Sequence, residues 1–363
     1  MKKERQRKRL RVVFLFVISL VFVGIAAAIA VVGYNYVENR NFQETFYCVS
    51  SLKLNNKIRV IQISDLHSCT YGEGNSELID RVKKLEPDLI IYTGDIIDSQ
   101  FAVEKETADP LDEVLKTVSP YAQELIPGMV LYTEEPVQAE PEIRPDVDQQ
   151  IIDLCAELAK IAPSYYVYGN NEVETYYDDV LTQDYLDEKF GFDDSNRDPQ
   201  ALIAITDPLT QALEAVGVNV LKNTMATVTV GATTVDIFGV LTSNPSSFWS
   251  YAGQTYGEFA YTNEDHLKIM AIHEPLVFEE YEPDNWADLM LAGHTHGGTV
   301  RVPLVGPLYT QEGGLLPQRK GCYIYGRYDV QGRPLIVSCG LENSNIFRIN
   351  NMPELVIIDI NKF

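Results

Sequence analysis

The sequence predicts an α/β fold behind an N-terminal apolar helix, and three observations carry that prediction. Apolar runs at 58–64 and 88–92 enclose one amphipathic helical stretch. Such a β-loop-α-β unit implies parallel strands and a right-handed crossover. Further short apolar runs recur to the end of the chain, most of them closing on glycine or a polar residue. Ahead of all of them, residues 12–33 carry no charge over 22 positions.

Taken in order, residues 1–11 hold seven Lys/Arg and one acid, Glu4. As a helix, residues 12–33 span roughly 33 Å, enough for a hydrocarbon core. Basic residues before such a run place the amino end in the cytoplasm and the rest of the chain outside. A cleaved secretory signal has a shorter apolar region of about 7–15 residues, so a single-pass anchor is expected, although Ala26-Ala27-Ala28 would suit cleavage. Residues 34–57 read as a stalk with a first strand near 46–54. The strand at 58–64 ends at Asp65-Leu66-His67. Ser76 can cap a helix running to Leu85, with Leu78, Ile79, Val82 and Leu85 on one face. The strand at 88–92 then ends at Thr93-Gly94-Asp95.

Residues 99–149 break this rhythm, with twelve acids, three bases and six prolines. They read as an acidic insertion with one helix around 109–118. An amphipathic helix follows at 151–162, then a strand at 165–168 that ends at Gly169-Asn170-Asn171-Glu172. A second acidic segment covers 173–200, with a helix near 179–190. Asp207-Pro208 is a cap followed by a first-turn proline, opening a helix to about Val216. Runs at 218–221, 226–230 and 233–240 read as antiparallel strands, with Gly231-Ala232 turning between the last two. The strand at 267–272 ends at His273-Glu274-Pro275, with a short helix expected after it. Residues 288–292 lead into Gly293-His294-Thr295-His296-Gly297-Gly298. Strands at 322–325, 335–338 and 355–360 complete the chain. The domains are thus a basic segment (1–11), an anchor (12–33), a stalk and first strand (34–57), and one folded domain (58–363) interrupted at about 99–149 and 173–200.

Charge excludes one class of partner. The chain carries −23, and residues after the first eleven hold 22 bases against 51 acids. Such a surface repels nucleic-acid backbones, so no general DNA or RNA binding is expected. Five cysteines without a Cys-x-x-Cys make neither a dense disulfide framework nor a zinc ribbon. No Gly-x-Ser-x-Gly elbow or P-loop is present.

Chemistry collects at five strand ends: Asp65/His67, Asp95, Asn170, His273 and His294/His296. Four of the five histidines fall there, and only His266 stands apart as a surface residue. Seven oxygen and nitrogen donors, with a carboxylate able to bridge, suit two divalent ions a few Å apart. A structural zinc would need only four. Paired divalent ions supply a hydroxide near neutral pH and neutralise charge on a phosphoryl group.

The ordered series Asp-x-His, Gly-Asp, Gly-Asn-x-Glu, His and Gly-His-Thr-His resembles the calcineurin-like metallophosphoesterases. Ser64-Asp65-Leu66-His67, His273-Glu274-Pro275 and Arg301-Val302-Pro303 make it most similar to their membrane-anchored bacterial branch. The resemblance covers roughly 46–361. It implies a four-layer sandwich of two mixed β-sheets flanked by helices, and two divalent ions (Mn, Zn, Fe or Mg). Asp65, His67 and His296 would hold the first ion, Asn170, His273 and His294 the second, and Asp95 would bridge. Outside this set, Arg301 reads equally as a phosphate contact or as an exposed strand arginine. One position departs from the family pattern: Asn171 stands where fully active phosphatases have a histidine. Asparagine donates a hydrogen bond but is no general acid at neutral pH, so Asn171 is expected to orient the phosphate. The function this implies is hydrolysis of phosphodiesters or pyrophosphates at the outer membrane face, with lipid-linked substrates favoured by the anchor. Phosphomonoesters, or a catalytically weakened binding module, are the alternatives.

Overall fold

The computed structural model describes residues 2–98, 145–176, 207–241, 263–275, 287–298, 300–310, 314–317, 322–330, 332–343 and 348–363. The chain opens with α1 (Lys2–Glu38) and β1 (Gln43–Ser51), followed by β2 (Ile58–Ile63), α2 (Ser76–Leu85) and β3 (Leu89–Thr93). Then come α3 (Pro145–Ala159), β4 (Ser164–Val167), α4 (Asn170–Tyr176), α5 (Pro208–Ala215), β5 (Val218–Leu221), β6 (Thr224–Val230) and β7 (Thr233–Val240). The rest is strand: β8 (Leu267–Ile272), β9 (Leu289–Ala292), β10 (Arg301–Val302), β11 (Gly306–Pro307), β12 (Tyr309–Thr310), β13 (Gly314–Leu315), β14 (Gly326–Val330), β15 (Arg333–Val337) and β16 (Glu354–Lys362).

Two six-stranded sheets form the body, in the orders β1-β16-β2-β3-β4-β5 and β14-β15-β9-β8-β7-β6. Both are mixed. In the first, β2 to β5 run parallel and β16 is antiparallel to β2. In the second, β7, β8, β9 and β15 run parallel between antiparallel edges β6 and β14.

Side-chain alternation sorts each central strand between two cores. On β3, Leu89 and Ile91 pack between the sheets against Ile237, Ile269 and Leu291. Ile90 and Tyr92 face the other way, onto α2, α3 and α5 through Leu78, Val82, Leu154 and Leu213. On β8, Ile269 and Ala271 point inward, while Met270 and Ile272 join a third cluster with Phe238, Tyr323 and Tyr328. Strands covered on both faces read as continuous apolar runs, and these do. Among the described residues, helices cover the outer face of the first sheet.

The expected β-loop-α-β unit is present, with β2 and β3 parallel. Asp207 caps α5, accepting the Thr210 N–H at 2.8 Å. Several expectations need correction. Asn75, not Ser76, precedes α2; it sits at φ 60, and its side chain accepts the Tyr71 N–H at 3.0 Å. Within residues 34–57, the expected first strand is β1, which starts at Gln43 and pairs with β16 along its whole length, and α1 continues to Glu38. β5 is not antiparallel to its neighbour. It joins the first sheet parallel to β4, because α5 supplies a crossover between them. Residues 322–325 form no strand; the hairpin begins at Gly326, where β14 turns back into β15.

The helices expected near 109–118 and 179–190, and after His273, lie outside the described residues. Residues 145–149, assigned to the first acidic insertion, instead open α3. Among the described residues no helix is long and apolar enough to cross a membrane. Along α1, Phe14, Phe16, Phe22 and Val23 are exposed.

Candidate metal centre

Parallel strands of both sheets end at one edge of the sandwich. Asp65 and His67 follow β2, Asp95 follows β3, Asn170 and Asn171 follow β4, His273 follows β8, and His294 and His296 follow β9. Gln62 ties the two sheets together at this edge, donating to Thr93 Oγ1 (3.0 Å) and to the Ala292 carbonyl (2.8 Å). Gly94 is required where the loops converge. Its φ is +84°, and a Cβ there would lie 2.8 Å from His273 Nδ1. Five of the site residues, Asp65, His67, Asp95, His294 and His296, adopt positive φ without being glycine. Each such backbone costs about 1–3 kcal/mol and persists where surrounding structure over-determines it.

The ligand atoms form two triads, Asp65/His67/His296 and Asp95/His273/His294, each with its atoms within 4.8 Å of one another. In the first, His67 Nε2 faces His296 Nε2 at 3.1 Å, and His296 Nε2 lies 3.6 Å from Asp65 Oδ1. In the second, His273 Nε2 lies 3.2 Å from His294 Nδ1 and 3.1 Å from Asp95 Oδ2. The same Asp95 oxygen is 3.8 Å from His67 Nε2, so it stands between the triads. Asn170 adds an oxygen: its Oδ1 is buried and has no hydrogen-bond partner. A buried amide oxygen left open is costly unless a cation takes it.

Neighbouring groups orient these donors. His273 Nδ1 is 2.7 Å from the Thr93 carbonyl and His296 Nδ1 is 2.9 Å from Glu342 Oε2, which leaves both Nε2 atoms for the site. Asp65 Oδ1 accepts the His294 N–H at 2.8 Å. Glu172 binds the loops together, accepting the N–H groups of Asp95 (2.8 Å), Ile96 (2.8 Å) and Gly169 (2.7 Å) and the Tyr166 hydroxyl (2.7 Å).

Electrostatics point to missing positive charge. Asp65, Asp95 and Glu172 are buried. The ion pairs of Asp65 and Asp95 among the described residues are all with histidines. Burial alone would push Asp95 up, but His273, His67 and the Asn171 N–H hold it well below the usual carboxylate range. Glu342 is likewise held low by His296 and His67 against burial. The cost falls on the imidazoles. Burial pulls them down, yet Asp98, Asp95 and Glu342 raise His67 to about 9, and Asp95 and Asp65 raise His273 to about 10. Asp95 and Asp65 raise these imidazoles because among the described residues they have no other cationic partner. The donor set, its geometry and the open Asn170 oxygen therefore fit two divalent ions.

Six of the seven expected ligands fall in the two triads, and Asn170 follows β4 at the same edge with its Oδ1 unpartnered. The first triad is the expected set, and Asp95 stands between the two. Asn171 is buried beside the triads. Its N–H donates to Asp95 Oδ1 at 2.9 Å and its amide lies 2.9 Å from His67 Nδ1. Arg301 joins neither triad; its guanidinium stacks 3.6 Å over the Tyr325 ring. His266 bonds the buried Asp236 at 3.0 Å, well removed in role from the other four histidines. Glu342 was missed. It follows β15 just as the other site residues follow their strands, so the same strand-end pattern would have flagged it.

Comparison with known proteins agrees with this geometry. The family described as "Calcineurin-like phosphoesterase" matches residues 58–298. The chain is 31% identical over 93 residues to "Phosphodiesterase YaeI" of Escherichia coli (strain K12), a match covering 26% of this chain and 32% of that protein. It is 35% identical over 54 residues to YpbG of Bacillus subtilis (strain 168), covering 15% and 21% respectively. The matches thus span a third or less of these curated relatives. Among solved structures, phosphopantetheinyl hydrolase (PptH) from Mycobacterium tuberculosis aligns at 12% identity and TM-score 0.38, covering 78% of this chain and 89% of that one. A 5'-nucleotidase from Staphylococcus aureus, described as putative in its own name, aligns at 12% identity and TM-score 0.39, covering 79% and 49%.

Proposed function

Because the chain belongs to the calcineurin-like phosphoesterase family, a family of dinuclear metal-dependent phosphoester hydrolases, we propose that its substrates are phosphodiesters or pyrophosphates met at the outer face of a membrane. The single observation that carries the hydrolytic part is the pair of triads with Asp95 between them. Asp65, His67 and His296 would hold one ion, and Asn170, His273 and His294 the other. Two divalent ions supply a hydroxide nucleophile at neutral pH and neutralise charge developing on the phosphoryl oxygens.

The chain's own residues fix the geometry. Asp95, held ionised, keeps a full negative charge between the two sites. Glu342 and the Thr93 carbonyl lock the rings of His296 and His273 so that each Nε2 is free to ligate. Asn171 braces His67 from behind and cannot protonate a leaving group. The substrate should therefore carry a leaving group that departs without a strong proton donor, which favours diesters and pyrophosphates over alkyl monoesters. The name of the Escherichia coli relative, a phosphodiesterase, supports the same choice. The uncharged run at 12–33 and its exposed phenylalanines support an anchor, with the folded domain across the membrane from the basic segment. Tethering keeps the site near the bilayer and favours lipid-linked phosphoesters. Mixed imidazole and carboxylate donors suit Mn²⁺ as the assay metal.

The test compares bis-p-nitrophenyl phosphate with β-glycerophosphate under Mn²⁺. A clear preference for the diester is expected. Faster turnover of the alkyl monoester would overturn the assignment and indicate a proton donor outside Asn171. Protease protection of the folded domain in intact cells, with exposure only after lysis, would overturn the outward orientation.

A further inference from the structure

α1 is fastened to the same loop that supports the metal site. Asn39 Nδ2 donates to the Arg348 carbonyl at 2.8 Å, and the Asn350 N–H donates to Asn35 Oδ1 at 2.7 Å. From this loop Asn351 Nδ2 donates to the carbonyls of His296 and Gly298, both at 2.6 Å. Asn350 Nδ2 also donates to the Arg301 carbonyl at 3.2 Å, and the Arg301 N–H to Ile349 at 3.0 Å. Residues 348–351 therefore join the end of α1, the histidine loop and the β10–β11 hairpin into one unit. The hairpin also packs on the histidine loop directly: a Cβ on Gly298 would lie 2.6 Å from Pro307 Cβ.

That hairpin presents apolar side chains to solvent. Leu304, at its tip, is fully exposed with φ 67, and Val305 beside it is exposed too. Tyr309 and Leu315 on the β12–β13 hairpin are likewise exposed. Clustered exposed apolar groups on a braced hairpin mark a contact surface. Connectivity identifies the partner. Arg301 stacks on Tyr325, Arg327 donates to the Cys48 carbonyl and Arg333 pairs with Asp288, so apolar character rather than charge distinguishes these tips. Apolar tips on a hairpin tied to the end of α1 fit the lipid surface that the uncharged run of α1 would enter. Position agrees. The uncharged run stops at Gly33, and the exposed Tyr34 and Tyr36 follow it as interface-seeking aromatics. They lie within one or two helical turns of Asn35 and Asn39, the residues that hold the hairpin unit.

We propose that the β10–β11 and β12–β13 hairpins seat Leu304 and its neighbours in the headgroup layer of the bilayer that α1 enters, so that the histidine loop is held at the lipid surface. This inference rests on the anchor reading above, and its test separates the two. Full-length protein is reconstituted into phosphatidylcholine–phosphatidylglycerol vesicles carrying brominated acyl chains. Tryptophan is introduced as Leu304→Trp and, separately, as Leu52→Trp. Leu52 is exposed beyond the far end of β1, about 30 Å along the strand from α1. Fluorescence is read as the difference from the wild type with its two native tryptophans. Leu304→Trp is expected to be quenched about threefold more than Leu52→Trp, as insertion of about 5–10 Å requires. Protein that resists carbonate extraction but shows equal, weak quenching at both positions would overturn the hairpin inference and leave the anchor standing. Protein that carbonate releases from the vesicles would overturn the anchor, and the inference with it.

Discussion

Asn170 Oδ1, buried with nothing to accept from, is where a structural and a functional reading of the same atom separate. As a turn residue it would bond its own backbone; as a ligand it waits for a cation. Glu342 poses the matching question one shell out. Held low by His296 and His67 against burial, it fixes the His296 ring through Nδ1. Glu342→Gln should weaken metal binding by about 10- to 100-fold in a calorimetric titration with little change in the fold; an unchanged affinity would remove Glu342 from the site. Proton linkage gives a second expectation. With no metal, His67 and His273 hold protons up to about 9 and 10. Raised folded-state values stabilise the metal-free protein fully below the ordinary histidine value near 6.5, and that stability is lost as pH rises through about 9 to 10. Metal loading needs neutral rings, so it gains over the same range. The melting-temperature difference between Mn²⁺-loaded and chelator-treated protein should therefore widen from about pH 6 to pH 9. A constant difference would mean that these imidazoles are not the ligands. The six residues of the two triads were legible in the sequence because each donor type follows an apolar strand. What those donors lean on was not. The contacts of Asn171 with His67 and Asp95 could not be read from its position after β4. Arg301 read as a phosphate contact or as an exposed strand arginine, and it stacks on Tyr325. Residue type and spacing specify which atoms are offered, whereas tertiary packing decides which way they turn.

Strands and the loops that follow them set the site's precision. Glu172, at the start of α4, receives N–H groups from two different strand ends as well as a tyrosine hydroxyl. Burial and Asp95 raise it while those donors oppose the rise. Several charge-assisted bonds of about 1.5–3 kcal/mol each make this residue the clasp between the β3 and β4 loops. Glu172→Gln should lower unfolding stability by roughly 3 kcal/mol in urea titration and weaken metal binding in parallel. Full stability with normal metal affinity would show that the loops hold without it. Element types were readable wherever a short apolar run was continuous: β2, β3, β8 and β9 appear where their apolar runs predicted. Partnership was harder. The run at 218–221 has the same composition whether it pairs with β4 or β6, and only the α5 crossover makes it parallel to β4. Likewise 322–325 has strand-forming residues, but Ile324 and Tyr325 donate their N–H groups to the Tyr328 hydroxyl in place of a ladder.

At the scale of the molecule, the sandwich brings the ends of two parallel-strand arrays to one edge and concentrates buried carboxylates there. That arrangement sets negative charge beside the imidazoles, which two divalent ions would balance. Charge is unevenly placed along the chain: the first eleven residues hold seven of its bases, and the remainder holds 22 bases against 51 acids. The measurement that bears most directly on this picture is metal stoichiometry joined to hydrolysis in the full-length protein. Wild type loaded with Mn²⁺ should bind two equivalents and cleave bis-p-nitrophenyl phosphate. Asp95→Ala should lose hydrolysis by at least about 100-fold, as expected when a charge-bearing group at a reacting centre is removed, together with tight binding of the second equivalent. Wild type that binds two ions yet cleaves no phosphoester with any divalent metal, or Asp95→Ala that cleaves as well as wild type, would contradict it.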